Sequence, residues 1–215
     1  MTNGARDRSW LRTALGVGAL AVFFAGMLVV IAALAFSVKV SGSSMEPTVS
    51  SGDRLLVDVF GKDDVQRFDI VESPLGGREI SVVKRVIGLP GDQVQVTADA
   101  DPPVVLVRPE GEDVTYVVDN PAWSGRVGDK TEPCCVDDGT SSPRGQEPAW
   151  VTVPDDHYWV IGDNWGGSDD SRTFGFVAAA DVQARIAFRI QPLSKFGKLE
   201  NDVRLQRRDE VPATP

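Results

Sequence analysis

A mainly β domain behind one N-terminal transmembrane helix is the fold class this sequence predicts, and three observations carry it. Thr13 to Val38 is a run of 26 residues without a charge. After residue 40 the chain becomes short β-branched runs separated by Gly, Pro and Asp. No stretch of helical periodicity long enough for a second major helix follows.

The apolar run would be about 39 Å long as a helix, enough to cross a hydrocarbon core of about 30 Å with some tilt. It exceeds the apolar region of a cleavable secretory signal, about 7 to 15 residues, and shows no polar face that would suit a buried core helix. A permanent anchor is therefore expected. Arg6, Arg8 and Arg12 precede it against Asp7 alone, which predicts a cytoplasmic N-terminus and a translocated remainder. The expected organisation is a cytoplasmic segment 1–12, a transmembrane helix 13–38, an extracytoplasmic domain 39–193 and a polar, loosely held tail 194–215.

Within the domain the strand candidates are DRLLVDVF, FDIVES, EISVVKRVIG, DQVQVT, VVLVR, VTYVV, HYWVIG and VQARIAFRI. Residues 119–149, rich in Pro, Gly, Ser and Asp, predict a surface insertion between strands.

Composition excludes several function classes. The 215 residues are 42% hydrophobic and 25% charged, near globular values, which disfavours collagen-like, disordered and polytopic membrane proteins. Net charge is -9, and setting aside Arg6, Arg8, Arg12 and Asp7 leaves 19 basic and 30 acidic residues beyond the N-terminal segment. A nucleic-acid partner is not expected from such a surface. One histidine, His157, and two adjacent cysteines, Cys134 and Cys135, are too few for a His/Cys metal site, and no CxxC pair exists. The cysteines can join only as a vicinal bridge, and a loop feature explains them better than a catalytic role.

Three segments carry the remaining chemistry. In Ser41-Gly-Ser-Ser-Met-Glu-Pro-Thr48, Gly42 and Pro47 define a tight connection able to present a hydroxyl, although Ser and Gly also suit a plain juxtamembrane linker. In the strand Glu79–Gly88, period two puts Lys84 on one face with Ile80, Val82 and Val86, before a Leu89-Pro-Gly-Asp92 turn with type II residues at its centre. A free lysine is neutral in only about one molecule in 2,500 at pH 7, and burial among apolar groups favours the neutral amine. Val83 and Ile87 make the other face apolar too, so a snorkelling surface lysine fits the alternation equally well. In Gly162–Gly175, GDNWGGSDDSRTFG, Asp170 and Arg172 are two apart and pair if the segment is extended. Asp163, Asp169 and Asp170 also allow a calcium loop, though without the EF-hand spacing or its closing Glu.

Ser44-Met45 within SGSSMEPT, Gly52-Asp53, Lys84 within KRVIGLPGD, and GDN…SDDSR…G at 162–175 follow one another in an order that resembles bacterial type I signal peptidases, from the anchor to about residue 190. The resemblance implies a signal-peptidase-like β-rich catalytic domain and a membrane-bound serine endopeptidase that cuts signal peptides from exported preproteins after A-x-A-type small residues. It assigns Ser44 as nucleophile and Lys84 as general base and later general acid. Ser168 would orient the lysine amine, with Asp170–Arg172 and Asp163–Arg85 as bracing ion pairs. The Ser44 backbone N–H would hold the oxyanion, and Val40, Met45, Val49 and Val83 would line pockets for small side chains. The partners implied are secretory preproteins and the lipid bilayer, at the plasma membrane, with no cofactor and no metal. Two departures stand out. Gly42 lies where some members carry a hydroxyl that assists the oxyanion, and Trp165-Gly166-Gly167 lies where Arg-Asp-Asn is common. Competing readings are a Ser-His-Asp triad through His157, a Ser-Lys self-cleaving or pilin-processing peptidase, and a non-catalytic anchored β-domain.

Overall fold

The computed structural model describes residues 4–97, 104–124, 134–142 and 147–210. The chain forms two compact units, residues 1–37 and 38–215.

The first unit is helix α1, Gly4–Ala35. Its Arg12–Ala35 portion has a mean hydropathy of 2.7 and is long and apolar enough to cross a membrane. The helix stops before the apolar run does. Ser37 Oγ bonds back to the Leu34 carbonyl, and Ser37–Lys39 is already extended as strand β1. The side chains of Arg6, Asp7 and Arg8, on which the expected orientation rests, lie outside the described residues.

The second unit carries two sheets. In chain order the strands are β2 (Arg54–Asp58), β3 (Ile70–Pro74), β4 (Ser81–Gly88), β5 (Gln93–Val96), β6 (Val105–Arg108), β7 (Tyr116–Asp119), β8 (Val151–Thr152), β9 (His157–Ile161), β10 (Val177–Ala178), β11 (Ala184–Gln191), β12 (Gly197–Lys198) and β13 (Arg204–Arg207). All eight strand candidates are present. The larger sheet runs β1-β2-β11-β3-β4-β9-β10 with β12 beside β11, and the smaller runs β13-β7-β6-β5-β8. The pairings within β2 to β13 are antiparallel.

The strand alternation sorts β9 between two cores. Trp159 and Ile161 join the cluster that also holds Val94, Val96, Val105 and Val107 of the smaller sheet, while Tyr158 and Val160 join Val71 and Val86 on the other face. A third cluster gathers Met45, Val49, Leu55, Ile70, Ile186 and Leu199. Strand β4, between β3 and β9, touches all three through Ile87, Val86 and Val83. Its second half, Lys84 to Gly88, is buried on both faces. The expected partner Ile80 is instead 76% exposed and precedes the strand.

Two loop segments carry more structure than their composition suggests. The segment from residue 194 is polar but not loosely held: β12 pairs with β11, β13 pairs with β7, and Leu199 and Val203 are buried. Backbone pairing at sheet edges needs little side-chain hydrophobicity, so composition gave no sign of it. Likewise, Cys134 and Cys135 within 119–149 are fully buried in the first cluster and joined by a vicinal disulfide, and Trp159 Nε1 donates to the Gly139 carbonyl. Residues 125–133 and 143–146 of that segment, and 211–215 of the tail, lie outside the described residues.

Candidate active site

Ser44 sits in a turn that follows β1, ahead of two buried apolar residues, Met45 and Val49, that pin it to the third cluster. A helical-type bond from Val49 N–H to the Met45 carbonyl and one from Glu46 N–H to the Ser43 carbonyl tighten the turn. Gly42 begins it at φ +109°, a conformation that side-chain-bearing residues rarely adopt.

Lys84 comes from β4, opposite Val71 of β3, and shares its face with Val82 and Val86. It is 3% exposed, so the snorkelling alternative does not describe it. Its Nζ donates to Ser44 Oγ at 2.7 Å across 40 residues of sequence. The Leu89–Asp92 turn closes as expected, with Gly91 at φ +80° and Asp92 N–H bonded to the Leu89 carbonyl.

The 162–168 loop supplies the floor. Asn164 N–H donates to the Ser44 carbonyl, and its side-chain amide donates to the Ser43 carbonyl. Gly162 lies so close to the Ser44 carbonyl and to the Ser168 hydroxyl that an added Cβ would collide with both. Ser168 is fully buried there.

Asp170 and Arg172 form a buried bidentate pair at 2.8 Å, but not by extension. Asp170 is the N-cap of a short helix α2 (Ser171–Phe174) and also accepts from Gly162 N–H. Arg172 continues to the Trp165 carbonyl. The second pair joins Arg85 to Asp163 at 2.8 and 2.7 Å, and both residues are buried. Arg85 also reaches the Phe68 carbonyl and Asn201, while Asn120 donates to Asp163. Charge-assisted bidentate pairs hold geometry well, and breaking such a buried pair by removing one partner costs about 3–5 kcal/mol. Asp163 and Asp170 therefore face guanidinium groups rather than one another, and the calcium reading has no converging donor set among the described residues.

His157 begins β9, with Nδ1 against the Asp155 carbonyl. Gly162 stands five residues further, roughly 16 Å along an extended chain, so the histidine does not reach Ser44 through this strand. Val40 and Val83 pack on the cluster of Met45 and Val49, which brings all four proposed pocket residues together. Glu72 stands opposite Val83, and burial raises its carboxyl above the ordinary range.

Sequence reasoning missed Asn120, Asn201 and the backbone-tying role of Asn164. A lone Asn in a loop carries no local signal of the buried charge it serves.

Gly42 allows a direct test. A Cβ there meets open space, so any penalty comes from the backbone alone. Gly42→Ala is expected to lose about 1–3 kcal/mol of local stability and lower activity, and Gly42→Ser should do no better than Gly42→Ala. Thermal melts and rates on both variants check this; a Gly42→Ser rate above wild type would show that an added hydroxyl outweighs the strain.

The chain is similar to known proteins over most of its length. The family model described as "Signal peptidase, peptidase S26" matches residues 9–191. A Bacillus caldolyticus protein named "Signal peptidase I" is 34% identical over 162 residues, covering 73% of this chain and 80% of that protein. A Synechocystis sp. protein named "Probable signal peptidase I-2" is 31% identical over 171 residues, 76% of this chain but only 66% of its own length. A crystal structure of a signal peptidase I from Enterococcus faecalis V583 superposes at a TM-score of 0.39 with 31% identity, over 56% of this chain and 95% of that one. That overlap is too partial to bear on the fold.

Proposed function

Because this chain belongs to the signal peptidase family, peptidase S26, and is a peptidase of that kind, we propose that it cleaves preproteins with Ser44 as nucleophile and Lys84 as general base. The observation that carries the reading is the 2.7 Å contact between Ser44 Oγ and a lysine amine that is 3% exposed.

A serine hydroxyl is a weak nucleophile until a neighbouring base takes its proton. Burial disfavours the ammonium form of Lys84, and the neutral amine then accepts the hydroxyl proton along the same contact. Ser44 Oγ attacks the scissile carbonyl, and the Ser44 backbone N–H stabilises the developing oxyanion. Lys84 returns the proton to the leaving amine of the mature protein. A water deprotonated by the same lysine then hydrolyses the acyl-enzyme. Ser168 orients the amine, while Asp170–Arg172 and Asp163–Arg85 hold the loop and strand in place.

The third cluster supports the specificity. We assign the pockets for small side chains to Val40, Met45, Val49 and Val83, which lie together in this cluster and would suit A-x-A-type sites presented by a peptide added as an extended strand. The family and the apolar helix α1 fit a membrane protein. We assign the N-terminus to the cytoplasm and the β-domain to the outer side of the plasma membrane, beside the bilayer and its emerging preproteins.

Two measurements test this. The detergent-solubilised protein is expected to cut a preprotein with an A-x-A site at one bond, identified by the mass of the product, and to stop when the alanine before that bond becomes bulky. Protease added to intact spheroplasts should digest residues beyond 40 and spare the N-terminal segment. Protection of the β-domain would reverse the topology.

A further inference from the structure

The loop that carries Gly162, Asn164 and Ser168 brings no charge of its own at residues 165–167, Trp-Gly-Gly. It is nevertheless held at several points. Trp165 is 4% exposed, its carbonyl accepts from Arg172, and the Arg172 guanidinium lies 4.7 Å from its ring centroid. The ring also meets a segment remote in sequence: Trp123 and Trp165 pack edge-to-face with centroids 5.0 Å apart and an interplanar angle of 74°. Trp123 Nε1 also donates to the Gly162 carbonyl at 3.2 Å. The segment is itself fixed, because Asn120 caps the turn Pro121–Trp123 through Ala122 N–H and anchors to Asp163.

Gly162 is the residue at which these ties meet the reacting groups. Its carbonyl is held by Trp123 and its N–H by Asp170, while the Ser44 carbonyl and the Ser168 hydroxyl fill the space that a Cβ on it would need. A shift of Gly162 therefore moves both groups together.

We propose that Trp123 is a positioning residue, an aromatic brace that holds Gly162 and Trp165 and through them sets Ser44 and Ser168 against Lys84. It touches neither substrate nor the reacting atoms. The inference rests on reading this site as a Ser-Lys peptidase, and its consequence is specific. Loss of the brace misplaces groups without removing any, so kcat falls while substrate binding persists.

The test uses the full chain in detergent, with preprotein cleavage and hydrogen exchange of peptides covering 162–168. Trp123→Phe keeps the ring contact and loses the N–H; kcat should fall about three- to tenfold with KM changed by less than about twofold. Trp123→Ala loses both, and kcat should fall about ten- to a hundredfold, with faster exchange at the Gly162, Asn164 and Gly167 amides. If Trp123→Ala does not fold, Trp123→Phe decides. Variants that melt earlier yet keep the wild-type kcat and wild-type exchange would reduce Trp123 to core filling and overturn the proposal. Should wild-type protein leave the preprotein uncut, the peptidase reading fails by itself, and the exchange measurements still decide whether Trp123 holds the loop.

Discussion

Ser44→Ala and Lys84→Ala are each expected to lower preprotein cleavage by about 10⁴-fold or more, and the double variant should be no worse than either single one. In the proposed mechanism the hydroxyl passes its proton to the amine along their 2.7 Å contact, so removal of either would end the same step. The two variants should still fold. Ser44→Ala deletes a single oxygen, and Lys84→Ala removes a buried amine whose desolvation costs stability. His157→Ala should keep nearly full activity, since its ring is tied to Asp155 at the far end of β9. The pH profile is a second signature. A base that works only as the neutral amine gives a kcat/KM that rises with pH. Wild-type turnover in Lys84→Ala, or a limb near 6.5 that disappears in His157→Ala, would remove the lysine from the mechanism.

Gly162→Ala should lower kcat by about 10²-fold while leaving every proposed catalytic side chain in place. Its new methyl group would overlap the Ser44 backbone carbonyl, which belongs to a packed turn and cannot swing aside like a flexible side chain. Ser168 would be displaced as well. Overpacking of this kind costs about 1–3 kcal/mol, and misplacement by about 1 Å is enough for a loss near 10²-fold in kcat. Kinetics together with a melt measures both parts. A Gly162→Ala enzyme with wild-type kcat would mean that Ser44 and Ser168 tolerate displacement, and the positioning role of this loop would then fall. Gly42→Ala is the informative contrast, because its penalty comes from a φ of +109° with no steric neighbour at all.

Local rules made much of this molecule legible. Twenty-six uncharged residues specify a helix of spanning length whatever follows them, and runs such as SVVKRVIG and HYWVIG have the β-branched and aromatic content that favours strands. The Leu89–Asp92 turn needs only Pro and Gly in sequence, and it forms as such. The ordered segments around Ser44, Lys84 and 162–175 pointed to the family whose model matches residues 9–191.

Alternation failed where burial stopped being one-sided. Lys84 could not be judged buried or exposed from its neighbours, because Val82 and Val86 on its face and Val83 and Ile87 on the other are all apolar. Only its place between β3 and β9 makes it interior. Asp170 and Arg172 pair as expected, but through a helix cap rather than an extended segment, since the side-chain carboxylate competes for the free N–H groups of a helix start. The C-terminal strands and the buried cysteine loop escaped notice because edge pairing and core insertion depend on partners far along the chain.

The sequence by itself determined the anchor, the β content and the chemical types present, since each follows from properties of adjacent residues. Tertiary structure alone decided that Ser44 meets Lys84, that Asp163 collects Arg85 and Asn120, and that Trp123 reaches Gly162. Those contacts join residues 39 to 78 positions apart. They exist because antiparallel register and shared cores bring distant backbone together, a property of the whole sheet and not of any local run.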